Sequence, residues 1–332
     1  MHESAWLIAL IVLVALAFDF TNGFHDTANA IATSVSTRAL PPRIAVVMAA
    51  GLNFVGALTF TGVAKTIGGK IADPLHLANG MQVVLAAVIA AIIWNLFTWA
   101  KGIPSSSSHA LIGALAGAVI ASAGWRAIDA AGFLGIIKAL VISPILAFAV
   151  GWTLMIVMLW LFHRARGPAR INRGFRSLQV LVAAFQSFSH GTNDAQKTMG
   201  VITFALVAGG FQTELVIPLW VKIVAACAIG LGTSAGGWRI IRTVGARITH
   251  LRPINGFTSD LSSASVILGA TLLKLPVSTT HVISSAVMGT GSAQGLRSVK
   301  WEVAVRIVLT WIITLPASAA VAALAFMLIH WI

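Results

Sequence analysis

The stretch D-F-T-N-G-F-H-D-T-A-N-A, residues 19–30, lies inside a long apolar run and indicates the class of the protein. It carries two carboxylates, a histidine and two asparagines among hydrophobic neighbours. A charged side chain at bilayer depth costs about 2.5–3.5 kcal/mol on insertion scales, so such residues usually form a functional site. We therefore predict a binding site in this first segment, with its helix interrupted at Asn22-Gly23.

The composition of the whole chain is that of a membrane protein. Of its 332 residues, 58% are hydrophobic and only 9% are charged, whereas soluble proteins average about 25% charged residues. We predict an all-α polytopic membrane protein in contact with the lipid bilayer. The net charge of +13 comes from short basic loops. The sequence shows no basic face with interleaved aromatic side chains, so we predict no nucleic-acid partner.

The first stretch returns in altered form as S-H-G-T-N-D-A-Q-K-T-M-G, residues 189–200. Asp26 and Asp194 are 168 residues apart, and the motifs P-S-S-S-S-H and P-V-S-T-T-H, which end at His109 and His281, are 172 residues apart. Two motif pairs at nearly one offset indicate an internal duplication. Each copy has about five hydrophobic segments, and an odd number inverts the second copy in the membrane.

The basic residues give a domain organisation and a topology. We predict a transmembrane repeat at residues 1–162, a cytoplasmic basic linker at 163–176 and an inverted transmembrane repeat at 177–332. The linker contains five arginines and no acid. With the linker inside, the other basic loops fall inside too, as the positive-inside rule requires. Both termini are then external.

The two Pro-Ser/Thr-His motifs each separate two apolar runs. These runs cross the membrane as helix pairs or form re-entrant hairpins, and we favour hairpins because the runs 110–123 and 282–291 fall below the ~20 residues of a usual span. Proline ends one helix, and the next begins among hydroxyl groups, where a helix N-terminus attracts anions. Ordinary capping is the alternative for either motif alone. The candidate anion ligands are Ser105, Ser106, Ser107, Ser278, Thr279 and Thr280.

The carboxylates in the membrane segments require a functional explanation, because they repel an anion. Asp26, Asp194 and Asp260 bind a coupling cation, carry a proton, or accept a hydrogen bond from a protonated oxyanion such as hydrogenphosphate. The alternative for Asp194 is a structural pair with Lys197. Four histidines flank the motifs, and they either relay protons, since histidine titrates near neutral pH, or orient turns. These histidines are His25, His109, His190 and His281.

These motifs resemble the PiT family of inorganic phosphate transporters. The family signature G-x-N-D-x-x-N appears here as G-F-H-D-T-A-N-A, residues 23–30, and as G-T-N-D-A-Q-K-T, residues 191–198. The stretch N-G-F-T-S-D-L-S-S, residues 255–263, is similar to a family element as well. The resemblance covers nearly the whole chain. It implies an anion:cation symporter with phosphate as substrate, a homodimer, no cofactor beyond the coupling cation, no metal site and no enzymatic activity.

Departures from the family pattern bear on the coupling ion. Lys197 stands where sodium-coupled members have asparagine, and Asn53 stands where sodium-coupled animal relatives have glutamate, while Asp260 keeps a carboxylate at the paired position. A lysine ammonium would occupy the space of a sodium ion. The resemblance to bacterial low-affinity carriers therefore implies proton coupling, in the inner (plasma) membrane of a bacterium, with free phosphate or a neutral metal–phosphate complex as substrate.

We therefore predict a secondary active phosphate importer. Asp26, Asn29, Asn193 and Asp194 complete the phosphate site with the six hydroxyl groups, and the repeats move by rocking or by an elevator-like shift. The alternatives within the fold are a sodium-coupled phosphate symporter and a sulfate permease. An intramembrane hydrolase would use Ser106, His109 and an aspartate, but no nucleophile-elbow pattern surrounds them. A channel would show only conductance that follows the gradient.

Overall fold

The protein is built from α-helices. The computed structural model describes residues 2–77, 79–164, 168–235, 237, 240–241 and 243–331. Single 3-10 turns lie at Trp125–Ala127 and Leu296–Ser298, and a π-helical turn lies at Thr243–Arg247. The α-helices in these ranges are α1 His2–Ser36, α2 Pro42–Thr59, α3 Gly62–Gly69, α4 Gly80–Lys101, α5 Ser107–Ala123, α6 Ala130–Phe162, α7 Pro168–Ala208, α8 Leu219–Ala235, α9 Pro253–Leu272, α10 Thr279–Ala293 and α11 Trp301–Trp331.

Several helices have the length and composition of membrane spans. They are α1, in its part Ala5–Ser36, and α2, α4, α6 and α11. The apolar helices α5 and α8 have 17 residues each, about 25 Å at 1.5 Å per residue. Large apolar side chains remain exposed on α6 and α11, among them Ile145 and Ile312, as a surface in contact with lipid requires. The prediction of an all-α polytopic membrane protein is confirmed.

The same series of helices occurs in both halves of the chain. In chain order, α1, α2, α4, α5 and α6 correspond to α7, α8, α9, α10 and α11. The halves interlock, because α1 packs on α8 and α2 on α7, while α5 packs on α11 and α6 on α10. The predicted pair of repeats is confirmed. The repeats are units of sequence that share one packed body, so residues 1–162 and 177–332 do not form two separate lobes.

The helices that carry the two signature stretches are unbroken. The interruption predicted at Asn22-Gly23 is wrong, because α1 continues as one α-helix from His2 to Ser36. Its counterpart α7 also continues through residues 189–200. Polar side chains in both stretches bond to side chains of other helices, so the backbone keeps its internal hydrogen bonds, as a membrane interior favours. The breaks lie instead at the two Pro-Ser/Thr-His motifs.

The glycines of the signature stretches allow close helix crossings. A Cβ atom on Gly23 would lie 2.6 Å from the Ile229 carbonyl oxygen and 2.7 Å from the Thr233 nitrogen, both in α8. A Cβ atom on Gly191 would collide with the backbone of Asn53 in α2. Small residues let membrane helices approach to backbone contact. Each glycine is therefore required because its helix crosses a helix of the other repeat.

Two helix pairs turn at the hydroxyl-rich motifs. Residues 102–106 join α4 to α5, and residues 273–278 join α9 to α10. Each turn is held by the other repeat: Thr243 Oγ1 donates to the Gly102 carbonyl at 3.0 Å, and Thr66 Oγ1 donates to the Lys274 carbonyl at 2.8 Å. Helix α4 is long enough to span a bilayer, whereas α5 and α10 are shorter than ~20 residues. The re-entrant position of both hairpins stays a prediction.

Two connections are more helical than their composition indicates. The predicted linker 163–176 contributes its residues 168–176 to the start of α7, and its residues 165–167 lie outside the described part of the chain. Between α2 and α4, the residues Gly62–Gly69 form the short helix α3. The N-terminus of α3 is held by Gln196, whose Oε1 accepts hydrogen bonds from the Val63 and Ala64 nitrogens at 2.8 and 3.1 Å.

Candidate functional site

The two hydroxyl-rich motifs each start a helix in the same way. Ser106 is the N-cap of α5 and accepts a hydrogen bond from the His109 nitrogen at 3.0 Å. Ser278 is the N-cap of α10 and accepts one from the His281 nitrogen at 3.2 Å. The first N–H groups of a helix have no intrahelical partner and carry the positive end of the dipole. The repeated cap therefore fixes two potential anion-binding helix starts.

The starts of α5 and α10 meet at Asp26 of α1. Ser107 Oγ donates to Asp26 Oδ2 at 2.6 Å, and Thr280 Oγ1 donates to Asp26 Oδ1 at 3.1 Å. His25 Nδ1 lies 2.6 Å from the same Oδ1. The start of α5 also contacts the turn before α10, because Ser108 Oγ donates to the Val277 carbonyl at 2.8 Å. One carboxylate thus collects donors from both repeats.

The second signature carboxylate, Asp194 of α7, has a charged partner. Lys197 Nζ lies 2.9 Å from Asp194 Oδ1. Around Oδ2, His190 Nε2 and Thr279 Oγ1 each lie at 3.3 Å and Asn22 Nδ2 lies at 3.4 Å. The structural pair considered for Asp194 and Lys197 therefore exists, and it lies inside the cluster of site residues.

Lys197 joins the two carboxylate environments. Besides its ion pair with Asp194, its Nζ donates to Ser107 Oγ at 3.1 Å, and Ser107 bonds to Asp26. Asp26 is 1% exposed, and Asp194 and Lys197 are 0% exposed. An ionised group removed from water is tolerated only with partners. We call this buried polar cluster the chamber; this set of side chains contains two carboxylates and one ammonium.

Two of the four histidines bind the carboxylates and extend the network. His25 uses its other ring nitrogen, Nε2, on Thr98 Oγ1 of α4 at 3.1 Å. His190 uses Nδ1 on Asn53 Oδ1 of α2 at 2.9 Å. His25, which is bonded through both nitrogens, can pass a proton between its neighbours or hold them in place, whereas the His190 Nε2 atom contacts Asp194 without hydrogen-bond geometry. Both roles predicted for the flanking histidines fit the geometry of His25.

The other two histidines form a pair behind the helix starts. The rings of His109 and His281 lie 4.3 Å apart between centroids, and the ring of Trp311 stacks on His281 at 3.9 Å. They border a cavity of about 970 Å³ between α6 and α11. Its lining is mostly apolar side chains such as Phe148 and Ile312. This cavity is suited to apolar occupants, so the polar chamber is the better candidate for an anion.

Several predicted site residues have other contacts. Ser105 Oγ donates to Thr98 Oγ1 at 2.8 Å. Asn193 holds the turn before α10: its Nδ2 donates to Thr271 Oγ1 at 3.0 Å, and its Oδ1 accepts from the Val277 nitrogen at 3.3 Å. The side chain of Asn29 lies outside the described part of the structure. The helix starts supply Ser107, Thr279 and Thr280 to the chamber itself.

Asp260 lies apart from the chamber. Thr33 Oγ1 donates to its Oδ1 at 2.6 Å, seven residues along α1 from Asp26, which is about 10 Å of helix. The pairing of Asp260 with Asn53 expected from the family does not follow the helix order, since Asn53 is on α2 and Asp260 on α9. Within the described residues, no group of three His, Cys, Asp or Glu side chains is placed to hold a metal ion.

Two members of the chamber have no role in the sequence-based prediction. Asn22 reaches Asp194, and Thr98 holds both His25 and Ser105. Asn22 lies four residues before Asp26, on the same face of α1. That spacing is the sequence signal for Asn22, whereas Thr98 has no comparable signal in its apolar helix.

A comparison with protein families gives a match to both repeats. A model described as the phosphate transporter family matches residues 22–171 and, again, residues 163–322. Each match contains one signature aspartate and one hydroxyl-rich helix start. The same family model is thus found twice along the chain, in agreement with the duplication.

Bacterial relatives match over almost their whole length. A Bacillus subtilis (strain 168) protein described as "Probable low-affinity inorganic phosphate transporter" is 56% identical over 327 residues, 98% of each chain. A Rhizobium meliloti (strain 1021) protein with the same description is 46% identical over 322 residues, 96% of each chain. The likeness therefore includes both repeats.

A solved structure has the same fold. It is described as "The sodium-dependent phosphate transporter" and superposes with a TM-score of 0.88, covering 98% of this chain and 99% of that one at 26% identity. The arrangement of helices around the chamber is therefore shared with a structure of a phosphate transporter.

Proposed function

This chain belongs to the phosphate transporter family, and from that premise we propose that it imports inorganic phosphate together with protons. The observation that carries the proposal is the meeting of two capped helix starts at one buried carboxylate. Ser107 and Thr280 come from different repeats and bond to the same side chain, Asp26. A small anion held there contacts both halves of the protein, so its binding and release are linked to movement between them.

Phosphate would exchange hydrogen bonds with the chamber. Its oxygens accept from the hydroxyl groups of Ser107, Thr279 and Thr280 and from the N–H groups at the helix starts. Asp26 then loses hydroxyl donors and gains a P–OH group of hydrogenphosphate or dihydrogenphosphate as a donor. Ser106, Ser278 and Asn193 support the helix starts, and Asn29 completes the predicted set.

The same exchange gives selectivity for phosphate over sulfate. Sulfate is fully deprotonated near neutral pH and has no hydrogen to donate to Asp26. A buried site that is built to hydrogen-bond its substrate discriminates by as much as about 10⁴–10⁵-fold against an analogue that lacks the hydrogen-bonding group. A sulfate permease with the same fold remains the alternative, and it would need a neutral donor where Asp26 stands.

Charge balance supports a cation that travels with the anion. Asp26, Asp194 and Lys197 have a net charge of −1 when ionised, and phosphate adds one or two negative charges. A net charge in a chamber this deeply buried costs several kcal/mol per uncompensated ion. Lys197 already places an ammonium 2.9 Å from Asp194, and this favours protons over a sodium ion beside it. Two further candidates for the coupling machinery are Asp260, which lies apart from the chamber and bonds to Thr33, and Asn53, which bonds to His190.

The wider assembly completes the proposal. The two repeats have inverted topology in the inner (plasma) membrane of a bacterium, both termini are external, and two copies form a homodimer. The substrate is free phosphate or its neutral complex with a divalent metal. Support comes from the odd number of apolar segments per repeat and from the basic residues of the predicted inside loops.

Transport by the purified protein tests the proposal. In liposomes without sodium, an inward proton gradient should drive the accumulation of labelled phosphate. Collapse of the gradient by a protonophore should abolish the accumulation, and excess sulfate should leave it intact. Strict dependence on sodium would overturn proton coupling. Competition by sulfate would favour the sulfate permease, and stimulation by magnesium would identify the metal complex as substrate.

A further inference from the structure

A buried carboxylate that the proposed mechanism leaves unused lies next to the chamber. Asp19 is 0% exposed and lies two turns of α1 before the signature aspartate. Asn22 and Thr198 are its hydrogen-bonding neighbours, and the charges of Asp194 and Lys197 act on its carboxyl group. Asp19 therefore belongs to the same electrostatic unit as the ion pair of α7.

The Asp19 carboxyl group has no well-formed hydrogen bond. Asn22 and Thr198 lie beside its oxygens, but no described residue completes hydrogen-bond geometry with either oxygen, and the Asn22 Oδ1 and Thr198 Oγ1 atoms likewise make no such bond among the described residues. An unsatisfied buried polar group costs about 1–3 kcal/mol, and a charged one costs more. A proton on Asp19 resolves the conflict, because the carboxyl can then donate to the Asn22 carbonyl and accept from the Thr198 hydroxyl. An ionised carboxylate cannot make the first of these bonds.

We propose that Asp19 carries the coupled proton, while Lys197 supplies the positive charge that a bound metal cation would otherwise provide. This assignment rests on the proposed function. The ammonium of Lys197 disfavours a metal ion beside Asp19, since two cations would then share one small buried volume. A proton instead makes Asp19 neutral and adds no net positive charge to its surroundings.

Few of the titratable groups on the helices around α1 are neighbours of Asp19. Its own helix contributes His25 and Asp26 toward the chamber, and α7 contributes His190, Asp194 and Lys197. Other helices that pack on α1 carry Arg43 on α2, Lys101 on α4, Lys222 and Cys227 on α8, Asp260 on α9 and His281 on α10. The charges that act on Asp19 itself are those of Asp194 and Lys197.

The transport cycle then has a balanced proton step. With the chamber open outward, a proton from external water forms an O–H bond with an Asp19 oxygen, and phosphate binds between the helix starts. With the chamber open inward, phosphate leaves, the O–H bond breaks, and the proton passes to cytoplasmic water. The empty carrier returns only after Asp19 has lost its proton and become an ionised carboxylate, so net uptake depends on Asp19 while exchange does not.

Two transport assays on the reconstituted full chain separate these events. Asp19→Asn keeps the shape of the protonated group but cannot release a proton. We expect proton-driven accumulation of labelled phosphate to fall at least about tenfold, while exchange of labelled for unlabelled phosphate keeps at least half of the wild-type rate. A pH-sensitive dye inside the vesicles should record phosphate-coupled proton entry for wild type and none for the variant. The matched control is Asp73→Asn, a carboxylate that is exposed on a loop.

Accumulation by Asp19→Asn at the wild-type level would overturn the assignment. So would loss of exchange and accumulation together in a folded protein, because Asp19 would then serve binding. Asp19→Glu keeps a titratable group, and we expect it to retain dye-reported proton entry; its loss would count against a proton role. If sodium stimulates uptake and this stimulation disappears in Asp19→Asn, then Asp19 binds a metal cation and not a proton. Failure of the proposed function would appear differently, as the absence of proton-driven accumulation in the wild type.

Discussion

At the scale of single residues, the two signature aspartates have different partners although their motifs are copies. Asp26 is bonded by His25 and by hydroxyl groups of two helix starts. Asp194 is held by the ammonium of Lys197. Neutral hydroxyl donors are given up more readily than an ion pair in a buried site. We infer that Asp26 exchanges partners with the substrate and that Asp194 keeps the lysine in place.

Replacing Asp26 tests this division. Asp26→Asn has nearly the same shape but removes the charged acceptor for the P–OH group. Truncating one partner of a buried charged hydrogen bond costs about 2–5 kcal/mol, so both uptake and exchange should fall by about 30-fold or more. Initial rates of labelled phosphate exchange in liposomes measure the effect. Loss of both activities distinguishes this variant from Asp19→Asn, and wild-type exchange would refute a role for Asp26 in binding.

At the scale of helices, the chamber depends on two kinds of contact. Capped starts of α5 and α10 point hydroxyl groups inward, and glycines let α1 cross α8 and α7 cross α2 at backbone distance. The crossings place α1 and α7 so that side chains from both reach the helix starts. A change at a crossing should therefore alter the site without touching any of its ligands.

A methyl group at a crossing tests the packing. Gly23→Ala places a carbon 2.6 Å from the Ile229 carbonyl oxygen, and such overpacking costs about 1–3 kcal/mol. We expect a lower Tm in detergent and reduced phosphate exchange. Gly51→Ala is the matched control in α2, because its added carbon meets no atom within 4 Å. Alanine there should be neutral or stabilising by up to about 1 kcal/mol. An unchanged Tm for Gly23→Ala would show that α1 and α8 separate easily.

At the scale of the whole molecule, the interlocked repeats enclose the chamber on all sides. Its charged side chains are at most 1% exposed, so transport requires the repeats or their hairpins to move apart toward each side in turn. Because the turns of α4–α5 and α9–α10 are each held by the other repeat, opening must change contacts between repeats. Rocking and an elevator-like shift both satisfy this requirement.

Cysteine labelling tests the predicted orientation in the membrane. In a chain whose single cysteine is replaced, Cys227→Ser, a cysteine introduced as Ala5→Cys near the N-terminus should react with an impermeant maleimide in spheroplasts. The matched variant His163→Cys, at the exposed start of the predicted inside linker, should react only after permeabilisation. Labelling in the opposite order would invert the topology, and labelling of both without permeabilisation would exclude a cytoplasmic linker.

The sequence alone determined the class of protein, the duplication and the central side chains. The apolar composition indicates that the folded chain is surrounded by lipid. The repeated motifs identify Asp26, Asp194, Lys197 and the hydroxyl-rich helix starts directly. Those features are local, because a motif or an apolar run can be recognised without knowing its neighbours. The family match and the shared fold agree with them.

Only the tertiary structure decided how these residues are used. Local polarity indicated a broken α1, but its His25 and Asp26 bond to side chains of distant helices and the helix is continuous. The bridge from Lys197 to Ser107 and the unpartnered state of Asp19 also depend on residues far apart in sequence. Hydrogen bonding and charge balance in a buried site are properties of all the groups that meet there, so no single stretch of the chain contains them.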